Sequence, residues 1–141
     1  MERGMIISNS PEETVEIGAR FASRLRAGDV VALCGDLGAG KTHFTKGLVR
    51  ACGGDPQEVS SPTFTLVHEY AGAHLPVFHF DWYRLEEASE LLEMGWPDFL
   101  EESGVLVVEW AEKFPEALPA GTHWVRLSLQ SEGQRKVDIP A

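Results

Sequence analysis

No run of apolar residues in this 141-residue chain approaches the ~18 that a membrane-spanning helix needs. The opening stretch, MERGMIISNSPEE, has neither an apolar segment nor a small-residue cleavage site, so no secretory leader is expected and the expected compartment is the cytoplasm. Cysteine is scarce, with only Cys34 and Cys52 present. The helix expected over residues 42–52 would separate their surroundings by roughly 16 Å, far beyond the ~7 Å a disulfide spans. Without a CxxC or paired Cys/His spacing, structural zinc is not expected either, and both thiols read as small buried hydrophobes. Basic residues are in the minority, 12 Lys and Arg against 22 Asp and Glu, for a net charge of −10. Such a surface does not grip a nucleic-acid backbone unaided. It leaves open a small phosphate ligand held by backbone N–H groups, and action on nucleic acid through a basic partner.

What is present is the composition of a globular chain, 43% apolar and 24% charged, of a length that fits one domain over residues 1–141. No repeat, low-complexity tract or linker interrupts it. MIIS at residues 5–8 is a short strand candidate. Ser10 followed by Pro11 and by Glu13 reads as a capped helix start, with Val15, Ile17, Phe21, Ala22 and Leu25 as the apolar face and Gly28 as the stop. VVALC at residues 30–34 is a continuous apolar run, the pattern of a strand covered on both faces. A helix over residues 42–52 follows, then a strand beginning by Phe64, then the strand VFHFD. An acidic helix is expected over residues 85–94, with Leu85, Leu91 and Leu92 inward and Glu86, Glu90 and Glu93 outward; Glu86–Glu90 would be an unfavourable i,i+4 pair. VLVV at residues 105–108 is the second fully apolar strand. The tail alternates, with Val125, Leu127 and Leu129 on one side, and turns at Gly133 into a C-terminal hairpin. Strands alternating with helices imply a three-layer α/β fold with a mixed, mainly parallel sheet and antiparallel pairs at its margin.

Between the first apolar strand and its helix lies GDLGAGKT, which satisfies the phosphate-loop pattern G-x-x-x-x-G-K-[ST] in its confirming context. Gly35, Gly38, Ala39 and Gly40 let consecutive N–H groups converge on a phosphate, and the helix end adds its positive pole. Lys41 is placed for the β- and γ-phosphates, and Thr42 for Mg²⁺. Such a site needs a carboxylate at the end of a neighbouring strand, and two qualify: Asp81 after VFHF and Glu109 after VLVV. Pattern alone does not rank them. Thr63 and Thr65 lie where a γ-phosphate-sensing loop is often found. His43 and His79 are conceivable proton carriers, though a lone histidine in an apolar element more often packs. Of the four tryptophans, Trp82, Trp96 and Trp124 read as core or partner surface, and Trp110 is placed to cover a base.

The segments GDLGAGKT, SPTFTLV, HFDWYRL, ELLEMGW and VLVVEWAEKFP, in this order, resemble the TsaE (YjeE) ATPases over about residues 10–137. The phosphate loop fits many families; Ser61-Pro62-Thr63, Asp81 with Tyr83-Arg84-Leu85, and Glu109-Trp110 are far more specific. The resemblance implies a P-loop NTPase fold and an ATPase that uses ATP and Mg²⁺ to support threonylcarbamoyladenosine formation in tRNA. Its implied partners are TsaD and TsaB, which hold the tRNA, so contact with tRNA would be indirect. Carried over by position, residues 38–43, including His43, line the triphosphate, and Thr42 and Glu109 hold Mg²⁺. Asp81 takes the second acidic position near metal and water, and Trp110 the base side. Ser10 and Gly133 match further nucleotide contacts. The readings from other classes are a small-molecule kinase built on the same loop and a nucleotide-dependent adaptor without turnover. No Arg-rich lid insertion of the kind such kinases use is visible.

Overall fold

The computed structural model describes residues 4–36, 38–62 and 65–139. Seven strands form one sheet: β1 (Gly4–Ser8), β2 (Val30–Cys34), β3 (Val67–Tyr70), β4 (Val77–Asp81), β5 (Val105–Glu109), β6 (His123–Ser131) and β7 (Gln134–Ile139). Their spatial order is β1-β7-β6-β2-β5-β4-β3. The inner four are parallel, whereas β3 at one edge and β7 with β1 at the other are antiparallel. Every residue of β2, β4 and β5 is buried. That is why these strands read as unbroken apolar runs rather than alternations.

Alternate residues of the central strands feed two separate cores. Val31, Leu33, Val77, Val105 and Val107 pack beneath α1 (Pro11–Phe21) and α2 (Lys41–Ala51), with Ile17, Phe21, Phe44 and Leu48. Val30, Ala32, Phe78, Phe80, Leu106 and Val108 face the opposite layer, built from α3 (Ser89–Glu93), α4 (Trp96–Phe99), Trp82 and Phe114. The result is the three-layer arrangement expected. The same parity has a functional consequence: odd-numbered His79, Asp81 and Glu109 belong to the α1–α2 side of the sheet.

Helix α1 starts as its sequence dictates. Ser10 Oγ accepts from Glu13 N at 3.1 Å, while Glu13 Oε2 accepts from Asn9 N at 2.9 Å, satisfying two otherwise unpaired donors. Helices α1 and α2 then touch backbone to backbone. A Cβ at Gly18 would sit 2.2 Å from Phe44 O, and one at Gly47 would sit 2.1 Å from Val15 O and 2.6 Å from Ala19 N.

Four expectations need correction. The acidic helix is confined to Ser89–Glu93, because Glu90 Oε2 accepts from Glu86 N at 2.7 Å and closes the preceding turn as a cap instead of facing Glu86 across a helix. Leu92 is 69% exposed, whereas Leu85 and Leu91 are buried as expected. The strand expected by Phe64 begins at Val67 because Leu66 takes a left-handed conformation, φ 72°, closing a turn to Pro62 O; Phe64 itself lies outside the described residues. Leu129 is 59% exposed, since the hairpin outruns the core near its bulge. Cys34 and Cys52 are free and buried. No helix among the described residues is long and apolar enough to cross a membrane.

The glycine contact yields a stability prediction. Ala in a helix interior gains ~1 kcal/mol of propensity over Gly, but overpacking costs ~1–3 kcal/mol or more when backbone must yield. With three backbone atoms within 3.0 Å of the new methyl, the clash wins. Gly47→Ala should therefore lose about 2 kcal/mol or more in urea unfolding, with a matching drop in the transition midpoint.

Candidate functional site

A cleft of about 810 Å³ opens where the carboxyl ends of β4 and β5 meet the first turn of α2. Placing a site there follows from topology, since loops leaving parallel strands on that edge diverge and leave a crevice. Ser10, Gly38, Gly40, Lys41, Thr42, His43, Asp81, Glu109, Trp110 and Gly133 all line it. Gly35 and Ala39 do not. Ala39 is buried in the α1–α2 core, and Gly35 instead packs against β6, where a Cβ would stand 2.2 Å from Leu127 O. Thr65 is exposed and outside the cleft lining, and Thr63 lies outside the described residues.

The phosphate-loop end of the cleft is made of backbone. Gly40 stands at the N-cap of α2 with φ 104° and no side chain caps the helix. The first N–H groups of α2 therefore lack the kind of side-chain acceptor that Ser10 supplies to α1. Lys41 Nζ donates to Gly35 O at 2.7 Å and lies 3.9 Å from Glu109 Oε1 and 5.0 Å from the centre of the Trp110 ring. The lysine is thus 8% exposed and curled back over its own loop. Arg135 Nε donates to Gly38 O at 2.9 Å, tying the same loop to β7.

The opposite end is made of acids. Asp81 and Glu109 are paired in register at the ends of β4 and β5, 3% and 4% exposed. Buried carboxylates persist only with partners. Asp81 Oδ1 accepts from Tyr83 N at 2.8 Å, and Ser61 Oγ lies 3.5 Å from Oδ2. Glu109 Oε2 lies 2.6 Å from His79 Nε2. His79, read from the sequence as packing, is fully buried, and its other ring nitrogen is 3.2 Å from the Tyr70 hydroxyl. Burial raises the Tyr70 pKa, which keeps that hydroxyl protonated.

Above the acids, Trp110 holds φ 60° directly after β5, a left-handed conformation uncommon for a bulky residue and one that collects at functional sites. Its ring packs 4.9 Å from that of Tyr83. Lys113 Nζ donates to Tyr83 O and Leu85 O, so the loops following both acids are pinned together. Pro11, Thr14, Ser61, Tyr83 and Arg135 also line the cleft; the sequence marks Ser61 and Tyr83 as family motif residues and Pro11 as part of a helix start, but gives none of the five a place in the site. Tyr83 was findable, two residues past a parallel strand's end; Arg135 reaches the loop only through the antiparallel pairing of β7, which no local pattern reveals.

A family model described as threonylcarbamoyl adenosine biosynthesis protein TsaE matches residues 8–137. The chain belongs to the TsaE family. TsaE proteins take part in threonylcarbamoyladenosine biosynthesis of tRNA. The Bacillus subtilis protein named tRNA threonylcarbamoyladenosine biosynthesis protein TsaE is 39% identical over 132 residues, covering 94% of this chain and 82% of the relative. The Treponema pallidum protein of the same name is 36% identical, covering 94% of this chain and 97% of the relative. The crystal structure of Bacillus subtilis YdiB superposes with a TM-score of 0.79 at 31% identity, over 99% of this chain and 86% of that one.

Cys34, immediately before the TsaE phosphate loop, is chemically quiet. Burial pushes its thiol from the ordinary 9.0 up to about 11, and the nearby Glu112 carboxylate adds to the shift. A raised folded-state pKa leaves stability untouched while the unfolded thiol is protonated and erodes it as pH rises from 9.0 toward 11. Iodoacetamide at pH 8.5 should therefore leave Cys34 unmodified in the folded protein and alkylate it fully in urea. Rapid native labelling, read by mass spectrometry, would contradict this placement.

Proposed function

We propose that this chain binds ATP with Mg²⁺ in the cleft and hydrolyses it in support of the TsaB–TsaD complex that modifies tRNA. The observation that carries the reading is the opposition of two ends. An uncapped helix start with Lys41 faces two buried carboxylates on adjacent parallel strands. The first offers donors and positive charge to phosphates. The second offers hard oxygen ligands to a divalent cation.

The donor set fits the group. Among the described residues no cluster of three or more His, Cys, Asp and Glu could hold a metal alone. That suits Mg²⁺, which takes one or two carboxylates and completes its shell with phosphate and water. When bound, Mg²⁺ neutralises charge on the phosphate oxygens. The α2 amides and Lys41 would cradle the β- and γ-phosphates, and Thr42 and Glu109 would hold the metal. Asp81, kept in place by Tyr83 N, would orient water near the γ-phosphate. Trp110 and Tyr83 offer an aromatic wall on the base side, and Ser10, His43 and Gly133 close the rim. Lys41 must leave Gly35 O and swing to the phosphates, a short move for a flexible ammonium.

The net charge of −10 supports assigning tRNA contact to the partners rather than to this surface. Support from family membership reaches the modification pathway; the hydrolytic step rests on the cleft.

Phosphate release measured with and without TsaB–TsaD tests the reading. Turnover that rises with the complex and needs no acceptor supports it. Dependence on a phosphoryl acceptor would make the protein a kinase, and binding without turnover would make it an adaptor. Lys41→Ala should lower turnover about a hundredfold, since losing one preorganised charge-stabilising donor costs ~3 kcal/mol; turnover within threefold of the wild type would sink the assignment. Glu109→Ala should weaken Mg²⁺-dependent nucleotide binding more than Asp81→Ala, which should mainly reduce turnover. A Mg²⁺ titration of both variants decides between the roles, and the reverse order exchanges them.

A further inference from the structure

Two cations bracket the aromatic wall of the cleft. Lys41 Nζ lies 5.0 Å from the centre of the Trp110 ring, the Trp110 and Tyr83 rings are 4.9 Å apart, and Lys113 Nζ lies 5.9 Å from the centre of the Tyr83 ring. The row Lys41–Trp110–Tyr83–Lys113 thus sets both rings between two ammonium groups, each within cation–π range. Its two ends differ in place: Lys41 lines the cleft, and Lys113 does not.

Lys113 follows a stretch, residues 85–112, that contains no Lys or Arg and carries Glu86, Glu87, Glu90 and Glu112 among its acids. Even so, it forms no ion pair with any described residue. Its donors go to backbone instead, to Tyr83 O at 2.7 Å and to Leu85 O. An ammonium has three donors and no acceptor, so one side chain can hold two carbonyls of the same turn. Tyr83 is thereby fixed on both sides, since its own N–H donates to Asp81 Oδ1 at 2.8 Å.

The backbone of Lys113 is tied in the other direction. It closes the short turn Ala111–Lys113, its N–H donating to Trp110 O at 3.2 Å. Trp110 opens that turn with φ 60° and ψ 31°. A bulky residue does not hold this left-handed region by its own preference, so the conformation lasts only while its surroundings enforce it. The turn acts from one side and the Tyr83 ring from the other, and Lys113 is joined to both.

We propose that Lys113 is a positioning residue for the aromatic wall: from outside the cleft it holds Trp110 and Tyr83 in the geometry that receives a planar ring. This proposal rests on the ATPase reading for its purpose, because the nucleoside base is the ring such a wall would take. Under that reading Lys41 leaves Trp110 for the phosphates, and Lys113 supplies the remaining cation of the row. The clamp itself belongs to the free protein.

It is therefore tested first without nucleotide. Lys113→Met keeps most of the aliphatic stem and removes the donors. NMR follows the four indole N–H signals, with Trp110 assigned by its loss in Trp110→Phe, and the nuclear Overhauser contacts between the Trp110 and Tyr83 rings. In Lys113→Met those ring contacts should fall at least threefold and the Trp110 signal should move, while Trp96 and Trp124 stay in place. Unchanged ring contacts would overturn the proposal. So would an equal displacement of Trp96, which would make Lys113 a general support of the α3–α4 layer. With ATP and Mg²⁺, calorimetry and steady-state turnover separate binding from chemistry. Stacking on an aromatic side chain carries about tenfold in affinity, so Lys113→Met should weaken nucleotide binding about tenfold. Turnover at saturation should stay within threefold, since Lys41, Thr42, Asp81 and Glu109 are untouched. Affinity left intact would contradict the proposal, whether or not turnover falls. If the wild type neither binds nor hydrolyses ATP, the function above fails while the ring contacts still decide this proposal.

Discussion

Two carboxylates buried side by side set the terms for the rest of this protein. Asp81 and Glu109 stand opposite each other at the ends of neighbouring parallel strands, on one face, almost wholly out of water. Burial removes the water that would otherwise solvate such groups, so each must find partners inside the fold. The partners supplied by the fold include a backbone N–H and the Ser61 hydroxyl for Asp81, and for Glu109 a histidine ring and the Lys41 ammonium at the edge of ion-pair distance. Lys41 and the start of α2 line the same cleft as both acids.

Holding that arrangement is the task of the α1–α2 pair. Gly18 and Gly47 let the two helices meet at backbone distance, so the helix that carries Lys41 and Thr42 cannot lift from the sheet without opening the core of Phe21, Phe44 and Leu48. The same contact brings the capped start of α1, with Ser10 and Thr14, to the rim of the cleft. Ser8 Oγ and Thr14 Oγ1, 2.7 Å apart and buried, fix that start against β1. One close approach thus positions two walls.

Much of this was readable in the residues. The apolar runs of β2, β4 and β5 announced central parallel strands, the phosphate loop announced its own strand and helix, and Ser10 with Pro11 and Glu13 announced a capped start. These are features whose physics is local. What the sequence concealed is non-local. Glu90 could be read as a helix face or as a cap, and only the closed turn decides between them. His79 could pack or bind, and the answer depends on Glu109, thirty residues away, pointing at it. Arg135 meets Gly38 across 97 residues of chain through strand pairing that no window of sequence contains.

The difference between the two ends of the cleft follows from this. The loop end is built from consecutive residues, 38–43, whose geometry is set by glycine conformations and the start of one helix. The acid end is built from register: Phe80 pairs with Val108 and Asp81 with Glu109, and a slip of one residue in β4 would turn His79 and Asp81 to the far side of the sheet. What prevents the slip is apolar. Phe78 and Phe80 are locked edge-on against Phe99 and Trp96 in the opposite layer, so any slip would carry large aromatic rings out of their core and replace them with a histidine and a carboxylate. The chemistry on one face of β4 is therefore held in place by the hydrophobic packing on the other. That explains why a histidine and an aspartate can occupy the centre and end of a strand that otherwise reads as pure core.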